Sequence, residues 1–257
     1  MYLDYMLRGV LRFRSLLAVP LTLASVLTGA QQGGDLEARI LYAFHAEDIN
    51  QLTSLVQTLG TQVRGGGAGG PLRYHFAHAE YRLGLLLEET HAQDAEPAFS
   101  VCVDQLRAVL QQDGASVEAL VLQSACYSKL AGFQKLAAVL DRSRAADRLG
   151  AAAKLAPRNP RVAYVEAMDA LARTKPGSDE NQRACAQLQL AAQLFEGSSA
   201  TSIDVPGWGH ADAYLDLGRQ LELRGDLLGA RNWIEKSLIM APDFKAAQRQ
   251  LATLVRR

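Results

Sequence analysis

The stretch from Tyr214 to Pro242, YLDLGRQLELRGDLLGARNWIEKSLIMAP, decides the fold. Apolar residues return every three or four positions in both of its halves, which is the period of two amphipathic helices. Gly218 and Ala230 are small residues in these two helices, so they predict the place where the helices cross at close range. Pro242 ends the second helix, because proline cannot continue it. We therefore predict an antiparallel helical hairpin here.

The same helical period recurs along the rest of the chain, and strand signals are nearly absent. It predicts eleven helices, at 35–45, 47–63, 72–90, 95–112, 116–131, 134–155, 160–173, 180–196, 209–223, 227–240 and 244–255. Short loops between amphipathic helices favour antiparallel neighbours, and pairs that recur at roughly 40 residues are typical of helical repeat arrays. The predicted fold is all-α, with helical hairpins stacked one on the next.

The last hairpin resembles the tetratricopeptide repeat (TPR). The TPR signature is an aromatic residue, Leu-Gly, a large residue, Ala, another large residue and a closing Pro. In this chain the matching positions hold Tyr214, Leu217, Gly218, Leu221, Ala230, Ile234, Ser237 and Pro242. The match departs from the family where Tyr214 replaces the usual Trp and where Leu221 and Ile234 replace aromatics. Degenerate echoes, such as Tyr81–Gly84, extend the resemblance over roughly residues 71–257. It implies a right-handed α-solenoid with a concave groove that binds partner proteins.

This interpretation divides the chain into five parts. Repeat arrays need capping elements at both ends, because each repeat buries its apolar face only against its neighbours. The predicted parts are a signal peptide at 1–30, an N-terminal helical hairpin acting as a cap at 31–64, a glycine-rich linker at 65–71, TPR-like repeats at 72–243 and a C-terminal capping helix at 244–257.

The first thirty residues have the layout of a secretory signal peptide. Arg8, Arg12 and Arg14 precede an uncharged run from Ser15 to Ala30, which ends in the small residues that signal peptidase reads. We predict cleavage after Ala30 and a periplasmic location, with secretion to the outside as the alternative. The run is shorter than the ~20 apolar residues of a stable span, so we expect no membrane insertion after cleavage. A retained anchoring helix is the other interpretation.

Charge and motif content argue against several classes of function. Lys+Arg and Asp+Glu are both 27, so the formal net charge is zero, whereas a nucleic-acid binder normally shows a basic excess. No Ser-His-Asp, Cys-His or Gly-x-Ser-x-Gly arrangement can be assembled, so we expect no enzyme. The cluster Gly65–Gly70 lacks the Gly-Lys-Ser/Thr of a phosphate loop, and we expect no cofactor.

Two histidines are the candidates for a metal site. His75 and His78 stand three residues apart on a predicted helix, which puts both imidazoles on one face, where they could share a metal. No third ligand follows at a fixed spacing, and histidines that face solvent or a neighbouring helix are the simpler interpretation. A periplasmic metal- or small-molecule-binding helical protein is therefore the alternative function.

Two cysteines are candidates for a disulfide. Cys102 and Cys126 lie symmetrically about Gly114, at the turn between two predicted antiparallel helices, and so stand at the same height across the hairpin. In an oxidising compartment this placement favours a disulfide. Two small apolar side chains that pack together are the alternative. Cys185 is then an odd thiol, expected to be buried.

The insert at 196–209, EGSSATSIDVPGWG, is too long for a hairpin turn, and long loops in compact domains are often functional. We predict that Trp208, His210 and Asp212 contact a partner. The alternative is that Trp208 plugs the array and Asp212 caps a helix N-terminus. The predicted partner-binding set is completed by Tyr164, Tyr214 and Arg219. These residues lead us to expect a non-enzymatic scaffold or assembly factor that binds a partner-protein segment in its concave groove.

Overall fold

The computed structural model describes residues 23–133, 136–198 and 206–256. This part of the chain forms eleven α-helices and no strand, so the all-α prediction is confirmed. The helices are α1 (Leu23–His45), α2 (Ile49–Arg64), α3 (Gly70–Thr90), α4 (Ala92–Gln112), α5 (Val117–Phe133), α6 (Ala138–Leu155), α7 (Pro160–Arg173), α8 (Asp179–Gly197), α9 (His210–Leu223), α10 (Leu227–Met240) and α11 (Lys245–Val255). The predicted ends differ from these by a few residues, except at α1, which begins well before 35. The predicted start of α6 at 134 lies outside the described residues.

Local polar residues fix several helix starts. The Asn159 side chain accepts a hydrogen bond from the backbone N–H of Arg161 (2.8 Å). Pro160 follows at the first position of α7, where a backbone N–H would have no partner within the helix, so proline loses no hydrogen bond there. Asp226 accepts in the same way from the backbone N–H of Gly229 (2.8 Å). Such caps are local, which explains why the sequence alone predicts these boundaries well.

Consecutive helices pair as hairpins, α3 with α4, α5 with α6, α7 with α8 and α9 with α10. On α9, a Cβ added at Gly218 would stand 2.6 Å from Ile234 Cγ1 and 3.0 Å from the Ala230 carbonyl oxygen. On α3, a Cβ at Gly84 would stand 2.7 Å from the ring of Phe99 on α4. The predicted close crossing at Gly218 is confirmed, and the first of these hairpins repeats it.

The two ends of the stack touch each other. The rings of Phe44 on α1 and Phe244 next to α11 lie 6.2 Å apart, and the His45 ring lies 4.3 Å from Phe244. Both terminal nitrogens of Arg249 donate to the Glu47 carboxylate at 2.6 Å. We call these five residues the end-to-end contact. It bounds the concave side of the stack, which the sequence predicted as a groove.

The structure describes only part of the segment for which a signal peptide is predicted. Residues 1–22 of the predicted signal peptide lie outside them, and α1 runs through the predicted cleavage position after Ala30. Cleavage therefore stays a prediction. None of the helices described is both long and apolar enough to cross a membrane. The glycine cluster joins α2 to α3, with positive φ at Gly66 and Gly67 (87° and 77°).

Candidate functional site

The inner helices enclose a cavity of about 570 Å³. Helices α3, α5, α7 and α9 supply most of its wall, and the end-to-end contact adds Phe44 and Phe244. Apolar side chains, tyrosines and ion pairs alternate along this wall. The volume lies within the range of about 300–1,000 Å³ that is typical of ligand sites.

One part of the wall is a cluster of Tyr164, Asp216 and Arg219. The Tyr164 hydroxyl donates to Asp216 Oδ2 (2.8 Å), and Arg219 Nη1 donates to Asp216 Oδ1 (3.1 Å). Burial raises the pKa of Asp216, and the Arg219 charge opposes this effect. Two predicted binding residues, Tyr164 and Arg219, therefore do line the cavity, and the structure adds Asp216 between them.

Two further ion pairs line the same cavity. Lys129 Nζ on α5 lies 2.6 Å from Glu88 Oε2 on α3, and both side chains are about equally exposed, at 35% and 36%. Arg173 Nη2 lies 2.6 Å from Asp169 Oδ2 on the same helix, α7. Each of these pairs joins one positive and one negative side chain. Together they therefore offer hydrogen-bonding groups to a ligand and add no net charge to the wall.

Arg82 on α3 is the most buried charged residue of the wall, at 2% exposure, and each of its three guanidinium nitrogens donates a hydrogen bond. Its two terminal nitrogens donate to the carboxylate of Asp212 on α9 (3.0 and 2.9 Å), and its Nε donates to His78 Nε2 (3.1 Å). The Phe44 ring centroid lies 4.3 Å from its central carbon. Burial alone would raise the pKa of Asp212, but the Arg82 charge lowers it to about 2. This buried ion pair fixes α9 to α3.

Trp208 and Asp212 are part of the interior. Trp208 is 1% exposed, its Nε1 donates to the Tyr74 hydroxyl (2.8 Å), and its carbonyl oxygen accepts from Arg161 Nε (3.0 Å). Asp212 Oδ2 also accepts from the backbone N–H of Gly209 (3.1 Å), at the start of α9. These contacts bury both residues, which nevertheless border the cavity, so a contact with a partner stays a prediction. Their positions fit the alternative, in which Trp208 is a plug and Asp212 a helix cap.

The architecture can now be compared with known proteins. Among solved structures, that of a thermophilic TPR protein from Thermus thermophilus matches with a TM-score of 0.60 at 15% sequence identity. The match covers 89% of this chain and 100% of that one. No family model matches the sequence, and no curated protein matches it. The fold is a TPR-like α-solenoid. At this level of identity the likeness concerns the fold alone.

His210 and Tyr214 on α9 are not among the residues that line the cavity. The His210 ring stacks on Phe195 at 5.1 Å, and its Nε2 lies 2.7 Å from the Tyr214 hydroxyl. Tyr214 is 4% exposed, and burial lowers the pKa of His210. These aromatic groups pack between α8 and α9, and a contact of either residue with a partner stays a prediction.

His75 and His78 turn toward one carboxylate, that of Glu37 on α1. Their Nδ1 atoms lie 3.3 and 3.4 Å from its two oxygens. Because Arg82 donates to His78 Nε2, that nitrogen carries the lone pair and Nδ1 carries the proton, so His78 does not offer Nδ1 to a metal. Within the described ranges, no three His, Cys, Asp or Glu residues form a metal-binding group. The geometry is that of a buried polar contact between α1 and α3, and it fits the simpler interpretation of these histidines.

Cys102 on α4 and Cys126 on α5 are joined by a disulfide, with their Cα atoms 6.4 Å apart. The bond joins the second helix of one hairpin, α4, to the first helix of the next hairpin, α5. Cys185 is a buried free thiol on α8. The disulfide lies behind the inner helices and does not contribute to the cavity wall.

Sequence reasoning missed Glu37, Arg82 and Asp216 as site residues. Arg82 stands in a stretch that was interpreted only as an echo of the repeat pattern. One signal was present, because Arg82 shares its helix face with the apolar residues Ala79 and Leu86, and an arginine on such a face needs a buried partner. The identity of that partner, 130 residues away, has no signal in the sequence.

Proposed function

We propose that this protein is an exported, non-enzymatic scaffold that holds a segment of a partner protein in the cavity. The observation that carries the proposal is the cavity itself, a concave hollow built by the inner helices of a TPR-like stack and lined by tyrosines and ion pairs that solvent can reach. Such a wall buries apolar side chains of a partner and leaves its polar groups hydrogen-bonded. The resemblance of residues 214–242 to a TPR supports the same function.

Tyr164 and Arg219 are the predicted binding residues that this proposal retains. Tyrosine and arginine are enriched among the residues that dominate binding energy, because each combines a large contact area with hydrogen-bond donors. The ion pair of Arg219 leaves its side chain 41% exposed, so it is within reach of a partner.

A substitution that fills the cavity tests this proposal. Ala172 on α7 is exposed and lines the cavity, whereas Ala252 on α11 is exposed and does not. We expect Ala172→Trp to reduce the recovery of a partner from periplasmic extract, while Ala252→Trp, the matched control, leaves it unchanged. Quantitative mass spectrometry of the captured proteins measures both. Equal recovery of every partner by the two variants would remove the cavity from the proposal.

Export is proposed from the basic residues and the apolar run at 1–30, and a disulfide in the fold supports it, since disulfides persist in oxidising compartments. The test is the N-terminal sequence of the protein recovered from a periplasmic fraction. We expect Gln31 at the new N-terminus. Recovery of the uncleaved chain in the membrane fraction would favour the retained anchor instead.

A small-molecule binder is the second candidate function. The end-to-end contact encloses the concave side, and the resulting volume suits a compact ligand as well as a short peptide segment. In this candidate Ala172→Trp again abolishes binding, but no protein is captured by the unmodified chain.

A further inference from the structure

In two ion pairs of the cavity wall, the carboxylate lies deeper than the arginine that pairs with it. The Asp216 side chain is 15% exposed and that of Arg219 is 41% exposed. Asp169 and Arg173 show the same order, at 25% and 60%. In both pairs the fixed, inner group is the anion and the outer group is a flexible cation. Since ion pairs with an exposed member contribute little to stability, a ligand cation can replace either arginine at little cost.

An anionic ligand finds no equivalent inner position, because Lys129, Arg173 and Arg219 are each at least 35% exposed and already paired with a carboxylate. Arg82 is the deeply buried cation of the wall, and Asp212 and His78 already accept from its nitrogens. An anion would have to displace Asp212, which the backbone of Gly209 also holds. Arg142 is exposed in solvent, where an anion gains little from leaving water.

The remaining wall suits a cation on an apolar stem. Tyr81 and Tyr164 both contribute to the wall, and aromatic faces attract ammonium groups. No group within the described residues is hydrogen-bonded to the Tyr81 hydroxyl, although burial raises the pKa of Tyr81 to about 12 and keeps the hydroxyl protonated. Met168 and Leu215 add apolar surface next to these rings. The raised pKa of Asp216 agrees with a carboxylate that gains from a neighbouring positive charge.

We infer that the cavity binds an alkylammonium group, with its charge against Asp216 and its stem on Tyr81, Tyr164 and Met168. The inference rests on the proposed function in that it uses the same cavity. Either a lysine side chain of a partner or a free amine provides this chemistry.

The test is calorimetric titration of the full chain with hexylammonium, and with hexanoate as the anion of matched stem. We expect binding of hexylammonium only. Asp216→Asn should weaken it at least tenfold, since the charge is lost. Arg219→Ala should strengthen it up to about fivefold, because the competing cation is removed. Arg231→Ala is the matched control, since Arg231 also forms an exposed pair within one helix but lies outside the cavity.

The response of Arg219→Ala keeps the test decisive even where circular dichroism shows that Asp216→Asn does not fold. No binding of hexylammonium, tighter binding of hexanoate, or weaker amine binding by Arg219→Ala would each overturn the inference. Once hexylammonium binds, a peptide with a central lysine identifies the source, because a peptide that competes with the amine points to a partner's lysine and one that does not compete points to a small molecule.

The two proposals can fail separately. If Ala172→Trp loses a partner while hexylammonium neither binds nor competes with that partner, the alkylammonium inference fails and the scaffold stands. If hexylammonium binds with the expected response to Arg219→Ala while Ala172→Trp recovers every partner, the scaffold fails and the inference stands.

Discussion

Replacing Glu80 by Gln should stabilise the protein at alkaline pH and leave its stability almost unchanged at acid pH. Glu80 lies on α3 and is 7% exposed, and no group among the described residues donates a hydrogen bond to its carboxylate. Burial raises its pKa from 4.5 to about 7. The folded chain therefore holds a proton that the unfolded chain releases between these two values.

The sign and size of the effect follow from this difference. The stability contributed by the protonated carboxyl is fully present below pH 4.5 and is lost as the pH rises through about 7. Each tenfold change in proton affinity is worth about 1.4 kcal/mol, so the loss at pH 8 amounts to about 3 kcal/mol. Glutamine resembles the protonated carboxyl and carries no charge. The Glu80→Gln variant should therefore be more stable than the parent chain at pH 8 by up to about 3 kcal/mol.

Urea unfolding followed by circular dichroism at pH 5, 6, 7 and 8 measures this difference. Subtracting the parent from the variant at each pH removes the contributions of all other titrating groups. Glu235→Gln is the control, because it makes the same substitution at an exposed glutamate, whose side chain is 41% accessible. A constant difference between Glu80→Gln and the parent from pH 5 to 8 would refute the reasoning.

Three further expectations follow from the same structure. The His45→Gln variant should lose less stability than the parent chain between pH 7 and pH 4. Burial lowers the pKa of His45 from 6.5 to about 4, so the stability contributed by its neutral ring disappears as the pH falls. Urea unfolding at both pH values checks this expectation. Gly218→Ala should destabilise the chain by about 1–3 kcal/mol, because the added Cβ overpacks the helix crossing. Gly150→Ala in α6 should stabilise the chain by about 0.5–1 kcal/mol, because the space around the added Cβ is open. Thermal unfolding compares the two variants. Reduction of Cys102–Cys126 should cost about 3 kcal/mol for its loop of 24 residues, and a double serine variant should not respond to reductant.

Much of the secondary structure could be predicted because its signals are local. The apolar period, the caps at Asn159 and Asp226 and the close approach at Gly218 each depend on residues within one or two helical turns, or within one hairpin. The same local signals predicted that Cys102 and Cys126 stand opposite each other across a short turn.

The candidate site was predicted only in part. Tyr164 and Arg219 line the cavity, since inner helices of a stack of hairpins present one face to the concave side. Trp208 borders the cavity too but is buried, and the predicted binding residue Tyr214 is buried and is not part of the cavity wall. A large aromatic residue after a long loop can lie either on the surface or in the interior. Only the hydrogen bond from Trp208 to Tyr74 shows that this one lies in the interior.

By itself, the sequence determined that this chain folds into paired helices, where most of these helices lie to within a few residues, and which of their faces are apolar. The tertiary structure alone decided that the ends of the stack meet, that Arg82 pairs with Asp212, and that the hollow is a cavity open to solvent. The physical reason is that helix periodicity specifies which face is buried, not what it is buried against. Contacts between residues 130 or 202 positions apart depend on small rotations between successive hairpins, which add up along the stack and leave no pattern in any one segment.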